Sequence, residues 1–381
     1  MSTNNWSFYN PVRILFGEGT LQQLTQHLPG RKGLLVTSPG FTRRGDTAII
    51  LRGLCGRDVL VMDDVSPNPG IELLERKQEQ YKGHNLEYVL GIGGGSVLDA
   101  AKSLGFLLHE DNCELSLRDC LAHKETAQNK SSLPVFAVPT TAGTGSEVTC
   151  FATIWDKDNH KKRSLDTAAL FPKAAFLDPE LTVSLPVETT VVTGLDALSH
   201  AFESLWNKNA GLLTISHAVC AIGLVLERLP LLLENPGDVD LRSGMLTASL
   251  LGGLCISATR TALAHSISYP LTAKLELPHG LAAGFTLPAI LEFNAGADDG
   301  RLAKAAFSLN YGSVEELKEG LTDLFEAVEV QKMIHQRVSS LDQLLDLVPD
   351  MFTKGRADNN LRQVSEFDIE IILAKSYGRE S

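Results

Sequence analysis

The chain has 381 residues, of which 44% are hydrophobic and 21% charged, so it is globular and long enough for two domains. Its net charge of −12, with acids spread along the chain, excludes nucleic acid as the main partner, because no basic stripe would neutralise phosphates. The chain opens without an apolar signal segment, has no run of about 18 apolar residues, and carries six cysteines without CxxC spacing. We therefore expect a cytoplasmic protein with reduced thiols and no membrane partner.

The first half alternates apolar, β-branched runs with amphipathic stretches. The runs predict strands at 33–38, 58–64, 87–95, 135–141 and 174–178. Helical patterns lie between them, at 70–84 and 97–108, and the polar segment 109–132 is expected to be a surface excursion. This alternation predicts a parallel sheet that is covered by helices on both faces.

After about residue 183 the strand-like runs end and long helical patterns replace them. These predict helices at 187–207, 211–232, 238–260, 279–293 and 314–328. The fold class is therefore an α/β domain with a parallel sheet at residues 1–182, followed by an all-α domain at residues 183–381.

Two loops at strand ends have the composition of a nucleotide site. The segment GIGGGSVLDAAK runs from a predicted strand into a helix and places Gly94, Gly95 and Ser96 where backbone amides and the helix dipole favour a phosphate. The segment PTTAGTGSEVT also follows a strand and carries the hydroxyls of Thr140 and Thr141, with that of Thr144 further on. Each loop alone is equally well explained as a plain turn. Together they favour a nucleotide, although neither matches GxGxxG or the P-loop motif.

Four residues in the second half form a set of metal-ligand types. They are Asp196 and His200, four residues apart on one predicted helix face, with His265 in an apolar stretch and His279 in LPHG. One carboxylate and three imidazoles suit Fe, Zn, Mn, Co or Ni. A single histidine is more often an ordinary polar residue, so the set rather than any member indicates a metal.

With these motifs in order, the chain resembles the iron-dependent (group III) alcohol dehydrogenases over essentially its whole length. The matching segments are FGEG, NPG at 68–70, GGGSVLDAAK, PTTAGTGSEVT, LDPEL at 177–181, GLDALSHAFE and HSISYPLTAKLELPHG. The resemblance implies a Rossmann-like domain and a helical domain, with cofactor and metal in the cleft between them, and a dimer or larger homo-oligomer.

The resemblance also implies roles for individual residues. The metal ligands would be Asp196, His200, His265 and His279, and the ion iron, with zinc as the alternative. The contacts to NAD or NADP would be Asn68, Gly94, Gly95, Ser96, Asp99, Thr140, Thr141, Thr144 and Lys162.

Two positions depart from the family's pattern. Tyr269 stands where a histidine is common, and it either relays protons, shapes the substrate pocket or is a packed aromatic residue. A phenol with an ordinary pKa of about 10 is a poor relay near neutrality. Ser38 stands where many NAD-preferring members have an aspartate, which removes a charge that would repel a 2′-phosphate, and Arg43 and Arg44 follow closely. We therefore expect NADPH to be accepted, alongside NADH.

The expected reaction is reversible hydride transfer between the nicotinamide and an aldehyde or alcohol, with the metal polarising the carbonyl. The segments SYPLT, LWNKN and KGRADNNLRQVS resemble a branch that includes phosphonoacetaldehyde reductases. The candidate cations and amides for an anionic substrate are Arg260, Arg356, Asn359, Asn360 and Arg362, although the tail also fits a structural clamp. Sulfoacetaldehyde, simple short-chain alcohols, the reactions of related folds, and a non-catalytic nucleotide-binding protein are the alternatives.

Overall fold

The computed structural model describes residues 5–378 except 157 and 160. The described residues form two compact units. The first, called the sheet unit, comprises Asn10–Thr141 and Gly145–Thr182. The second, called the helical unit, comprises Val183–Ser381, the described part of Met1–Tyr9, and the short segment Ala142–Thr144. The sequence pattern did not indicate that three residues of the second glycine-rich loop belong with the helices.

The sheet unit is built on a parallel sheet of six strands. Its eight described strands are β1 Arg13–Phe16, β2 Lys32–Val36, β3 Asp58–Met62, β4 Tyr88–Gly93, β5 Val135–Pro139, β6 Phe151–Asp156, β7 Lys161–Asp166 and β8 Ala174–Leu177. The order across the sheet is β1-β8-β5-β4-β2-β3, and every neighbouring pair is parallel. The predicted parallel sheet is confirmed. The edge strand β1 and the antiparallel hairpin β6–β7 were not predicted.

Helices cover both faces of this sheet. They are α1 Leu24–His27, α2 Pro39–Arg43, α3 Asp46–Gly53, α4 Ile71–Tyr81, α5 Gly95–Leu107 and α6 Leu117–Ala122. Side chains of successive strand residues point to opposite faces, so Leu34 and Val36 pack with α4 and α5, whereas Leu35 packs with α1, α2 and α3. The fully buried β4 separates the two cores.

The prediction of a surface excursion at 109–132 is wrong in part. Its helix α6 places Leu117 and Cys120 in the core shared with α4 and α5. The buried side-chain amide of Asn112 donates to the carbonyl oxygens of Phe106 and Ser131. These two bonds tie the polar segment to the end of α5 and satisfy a group that is costly to bury unpaired.

The helical unit contains α7 Val187–Leu205, α8 Leu212–Glu234, α9 Val239–Thr259, α10 Leu263–Leu275, α11 His279–Gly284, α12 Leu287–Ala295, α13 Arg301–Ser308, α14 Val314–Ala327, α15 Val330–His335, α16 Leu341–Leu345 and α17 Glu366–Tyr377. The all-α fold class is confirmed. The single helix predicted at 279–293 is two helices, because Pro288 lacks a backbone N–H and its ring excludes the carbonyl four residues earlier. That carbonyl belongs to Gly284, where α11 ends.

Two helices of this unit bear on the expectation that no segment suits a membrane. By length and composition α8 and α9 are apolar enough to span one, with mean hydropathies of 1.6 and 1.3. In α9, 67% of the apolar window is buried within the protein. Core helices of soluble proteins have the same composition, so these two helices are weak evidence for a membrane span.

Candidate metal centre and cofactor loops

The helix α7 presents three polar side chains on one buried face. Pro186 lies immediately before α7. Proline is tolerated at the start of a helix, because the N–H that it lacks would have no partner within the helix. Asp196 and His200 follow one turn apart, and Glu203 lies at i+7 from Asp196. All three are buried, with exposed fractions of 3%, 4% and 0%. Because buried ionisable groups need partners, this face indicates a site.

The partners of Asp196 are His200 on the same helix and the histidines of two other helices. The Nε2 atoms of His200, His265 and His279 lie 3.6, 3.8 and 4.0 Å from Oδ1 of Asp196. The ligand atoms of Asp196, His265 and His279 all lie within 4.8 Å of one another. His200 is not part of that tighter group, although it is the histidine nearest to the carboxylate. The structure therefore brings together the four residues that the sequence proposed as ligands.

Hydrogen bonds on the far side of two rings turn Nε2 toward Asp196. Nδ1 of His200 lies 3.2 Å from the carbonyl oxygen of Gly143, which accepts a hydrogen bond from it. Nδ1 of His265 lies 2.6 Å from Oε2 of Glu203. The two rings stack with centroids 4.9 Å apart and planes at 18°. Both acceptors require a proton on Nδ1, and in the neutral ring this leaves the Nε2 lone pair for another partner.

These residues fit a divalent ion. In the part of the chain that the structure describes, Oδ1 of Asp196 and Nε2 of His265 are buried with no hydrogen-bond partner. Folded proteins avoid this arrangement unless an ion or water completes it. Atoms that each bind one ion at about 2.0–2.2 Å are about 3–4 Å apart, and the three distances from Oδ1 of Asp196 to the histidine nitrogens lie in this range. Burial also lowers the pKa of His200 to about 4, so the ring is neutral and able to act as a ligand near pH 7.

Two glycines let main chains approach closely around the ligands. A Cβ at Gly280, which follows His279, would overlap the carbonyl oxygen of Val192 on α7. A Cβ at Gly143 would lie 2.7 Å from the carbonyl oxygen of Thr193. Any larger residue at either position would push a backbone segment away from α7.

Tyr269 borders the ligand set. Its ring stacks on that of His279, with centroids 6.5 Å apart and planes at 24°, and its edge faces His265 at 6.5 Å. Nε of Arg356 donates a hydrogen bond of 3.2 Å to the Tyr269 hydroxyl. A guanidinium is therefore held one aromatic ring away from His279. The role of Tyr269 in proton transfer stays a prediction.

The other residues of the carboxyl-terminal tail have structural contacts. Asn360 is fully buried and exchanges two hydrogen bonds, of 3.1 and 2.8 Å, with the amide of Asn294. The guanidinium of Arg362 lies 4.1 Å from the ring centroid of Phe293 and donates to the carbonyl of the same residue. Asn359 donates to two backbone carbonyls. These contacts correspond to the structural clamp that the sequence left open as an alternative.

The sheet unit gathers the predicted cofactor residues at the carboxyl ends of three neighbouring strands. Ser38 follows β2, Gly94–Ser96 follow β4, and Thr140 and Thr141 follow β5. The backbone N–H of Thr140 donates to the carbonyl of Gly93, and a Cβ at Gly94 would lie 3.3 Å from the side chain of Thr141. Ligands of parallel α/β sheets bind outside this edge. Thr144 lies in the three-residue segment of the helical unit.

Two further residues predicted to contact the cofactor have defined places in the sheet unit. The Asn68 backbone, at φ 59°, donates to Oγ of Ser96 at 3.2 Å. Lys162 pairs in register with Trp155, whose N–H donates to Pro69, so the hairpin adjoins the Asn68 loop.

The carboxylate of Asp99 is bonded to other residues of the protein. It accepts from Oγ of Ser146 at 2.6 Å and from the Thr153 N–H at 2.8 Å. It also pairs with the fully buried Lys102 at 3.1 Å, and Lys102 donates to Thr149. Asp99 therefore joins the two predicted cofactor loops to each other. A direct contact of Asp99 with the cofactor stays a prediction.

Glu203 was not predicted as a site residue. The signal was present in GLDALSHAFE, because a carboxylate seven residues after Asp196 lies on the same helix face. Burial alone would raise the pKa of Glu203, but hydrogen bonds from the ring and the backbone N–H of His265 help to hold that pKa below its ordinary value. Glu203 is therefore an ionised partner of a predicted metal ligand.

A parallel sheet with glycine-rich loops, together with three imidazoles near one carboxylate, has the features expected of a metal-dependent, NAD-linked dehydrogenase. Comparison with known proteins agrees. The family models "Iron-containing alcohol dehydrogenase" and "Fe-containing alcohol dehydrogenase family, C-terminal" match residues 11–179 and 190–377. The chain belongs to the iron-containing alcohol dehydrogenase family, and it is an oxidoreductase acting on alcohols or aldehydes.

Individual relatives cover most of the chain. It is 30% identical to choline dehydrogenase of Bacillus subtilis over 94% of its own length and 92% of the relative's. It is 32% identical to the NADPH-dependent butanol dehydrogenase of Clostridium saccharobutylicum, over 86% of this chain and 84% of the relative. The crystal structure of sulfoacetaldehyde reductase from Bifidobacterium kashiwanohense in complex with NAD+ is similar with a TM-score of 0.91 and 29% identity, covering 99% and 100% of the two chains.

Proposed function

We propose that this dehydrogenase reduces a small anionic aldehyde, with phosphonoacetaldehyde as the first candidate and sulfoacetaldehyde as the second. The observation that carries the proposal is the hydrogen bond from Arg356 to Tyr269 beside His279. The metal ligands are proposed to be Asp196, His200, His265 and His279, and the ion iron, or zinc as the alternative.

The exposure of the ligands supports substrate entry on the side of Tyr269. The side chains of His200 and His265 are 5% and 3% exposed, whereas that of His279 is 29% exposed. A substrate therefore reaches the set past His279, where Tyr269 and Arg356 lie. Nε and Nη1 of Arg356 already donate to Tyr269 and to the Gly355 carbonyl, and the guanidinium can still donate a charge-assisted hydrogen bond to a phosphonate or sulfonate oxygen.

The length of the substrate follows from the same arrangement. In a two-carbon aldehyde with an anionic head, one methylene separates the head group from the carbonyl. This short separation suits a cation that is one aromatic ring away from His279. Arg260, which follows α9 with φ 64°, is a second candidate cation.

The chain's own residues would bind and orient the reactants. A divalent ion held at the four ligands would supply Lewis-acid polarisation of the carbonyl. Arg356 would hold the anionic head, and Tyr269 would limit the width of the site and keep water from the reacting carbon. Asn68, Gly94–Ser96, Thr140, Thr141, Thr144 and Lys162 would hold the nicotinamide cofactor, so that hydride transfer takes place in a fixed geometry.

The relatives make substrate charge the deciding question. One similar structure is a sulfoacetaldehyde reductase, whose substrate name is that of an anion, and one relative is a choline dehydrogenase, whose substrate name is that of a cation. The guanidinium of Arg356 supports the anion.

We expect Arg356→Ala to lower kcat/KM for phosphonoacetaldehyde and sulfoacetaldehyde by about 10–100-fold, because one charge-assisted hydrogen bond contributes about 1.5–3 kcal/mol. The rate with propanal should change little, since propanal has no charge to bind. The measurement is NAD(P)H consumption with each of the three aldehydes.

The matched control is Arg362→Ala, which removes the guanidinium that lies over Phe293. It should affect the three aldehydes alike. A parent enzyme that prefers propanal to both anions, or an Arg356 variant that loses all three activities equally, would contradict the anionic substrate.

Cofactor choice depends on Ser38. Its hydroxyl caps α2 by accepting from the Phe41 N–H, and Arg43, Arg44 and Ser38 all approach within about 4 Å of the space above Gly40. Two guanidinium groups beside a hydroxyl would favour the 2′-phosphate of NADPH. We therefore propose that NADPH is used, alongside NADH.

We expect Ser38→Asp to lower kcat/KM for NADPH by on the order of a hundredfold, because like charges brought together cost several kcal/mol. The value for NADH should be nearly unchanged, since aspartate also caps a helix and can accept from the ribose. Ser313→Asp, at the equivalent cap of α14, adds the same charge elsewhere and is the control. Equal losses with both cofactors, or no use of NADPH by the parent enzyme, would refute this assignment.

A further inference from the structure

Glu203 makes more contacts to the start of α10 than a packed carboxylate needs. Its Oε1 accepts from the backbone N–H of His265 at 3.0 Å, and its Oε2 lies 2.6 Å from Nδ1 of the same residue. The backbone of Ala262, immediately before α10, is also hydrogen-bonded to this carboxylate. One side chain therefore accepts from backbone N–H groups that have no partner within their own helix, and it also holds an imidazole.

The ring of His265 has one remaining choice of orientation. Stacking against His200 at 4.9 Å sets its plane, and His279 meets it at 5.2 Å with planes at 74°. Within that plane, a half-turn of the ring would place a carbon rather than Nε2 toward Asp196. The carboxylate of Glu203 selects the orientation with Nε2 toward Asp196, because it accepts a hydrogen bond from Nδ1. This leaves Nε2 3.8 Å from Asp196.

From these contacts we propose that Glu203 is a positioning residue for the metal centre. It fixes the tautomer and the orientation of His265, and it fixes the first turn of α10 relative to α7, so that Nε2 is ready to bind a divalent cation. The inference rests on the metal site of the proposed function. Mutation of a carboxylate that accepts a hydrogen bond from a ligating histidine typically lowers metal affinity by about 10–100-fold.

The test measures zinc binding to the apo-protein by competition with a chromophoric chelator, which does not depend on turnover. In Glu203→Gln the affinity for Zn²⁺ should fall about 10–100-fold, because a neutral amide is a weaker acceptor and can present its N–H₂ to the ring. Ser204→Ala is the matched control. Ser204 is the next residue on α7, is equally buried, and bonds to Thr259 rather than to a ligand. Its zinc affinity should match that of the parent protein.

The outcomes separate the two assignments. Tight zinc binding by the parent protein with equal affinity in Glu203→Gln would overturn the role of Glu203 and leave the metal site in place. Failure of the parent protein to bind zinc would overturn the metal site itself, and with it this inference. A loss of thermal stability in the apo form without a change in zinc affinity would show a purely structural role and would also overturn it.

A second measurement covers the case in which Glu203→Gln does not fold. In the zinc-loaded parent protein, the ¹⁵N shifts of the His265 ring, assigned against His265→Ala, should show a protonated Nδ1 and a metal-bound Nε2. The reverse pattern would refute the proposal, because the hydrogen bond to Glu203 would then not exist.

Discussion

Replacing His265 by alanine is expected to lower kcat/KM about a thousandfold or more and to abolish binding of the metal. Lewis-acid polarisation is worth several kcal/mol of the barrier, and each 1.36 kcal/mol is a factor of ten. The substitution removes a buried nitrogen that has no hydrogen-bond partner among the described residues, and it leaves Glu203 buried without the imidazole it holds. The measurements are metal content per chain and NADH consumption with added Fe²⁺ or Zn²⁺.

His217→Ala is the control for this experiment. His217 lies on α8 in the same unit and packs edge-to-face on Phe8, with centroids 5.8 Å apart. It should keep both metal and activity. If His265→Ala still bound one ion per chain and turned over at the parent rate, the metal assignment would be wrong.

Lys102→Met is expected to destabilise the folded protein by about 3–5 kcal/mol, since breaking a buried ion pair leaves an uncompensated charge. Lys102 is fully buried, and Asp99 is 14% exposed. Nζ of Lys102 also donates to the carbonyl oxygens of Ser146 and Phe151, so the substitution orphans acceptors from two chain segments. Urea unfolding followed by far-ultraviolet circular dichroism measures the change.

Lys77→Met is the matched comparison. Its partner Asp64, 2.8 Å away, is 47% exposed and is rehydrated when the lysine is lost. The expected loss is about 1 kcal/mol or less, as for other exposed pairs. Equal losses in the two variants would mean that the pair at Asp99 is no better isolated from water than the one at Asp64.

The sheet was predictable because its strands are short, apolar and separated by helical patterns. The elements that were missed lack such a pattern. The edge strand β1 is mostly exposed, and β7, with the sequence KKRSLD, carries polar residues because it belongs to a two-stranded hairpin. The break between α11 and α12 depends on one proline whose effect is felt four residues earlier.

The candidate site could be predicted in its ligand types but not in its supports. Asp196 and His200 have a spacing that places both on one helix face. The acceptors of the two Nδ1 atoms are a glycine carbonyl 57 residues away and a glutamate 62 residues away, and no local spacing reveals such pairs. The tail could not be resolved from sequence, because Arg356 and Arg362 have the same chemistry and differ only in what they touch.

Three expectations stay predictions: a domain boundary between residues 182 and 183, a dimer or larger homo-oligomer, and a cytoplasmic location. The individual roles of the site residues also stay predictions until metal and cofactor binding are measured on the variants described above.

The glycine after His279 affects which ions fit the metal site. Since Gly280 sits directly against the Val192 carbonyl, the gap between α7 and α11 is a main-chain dimension that no side chain can adjust. That contact limits how closely the two helices can approach each other. They therefore cannot close further around a smaller ion, and its fit depends on the side chains of Asp196 and His279.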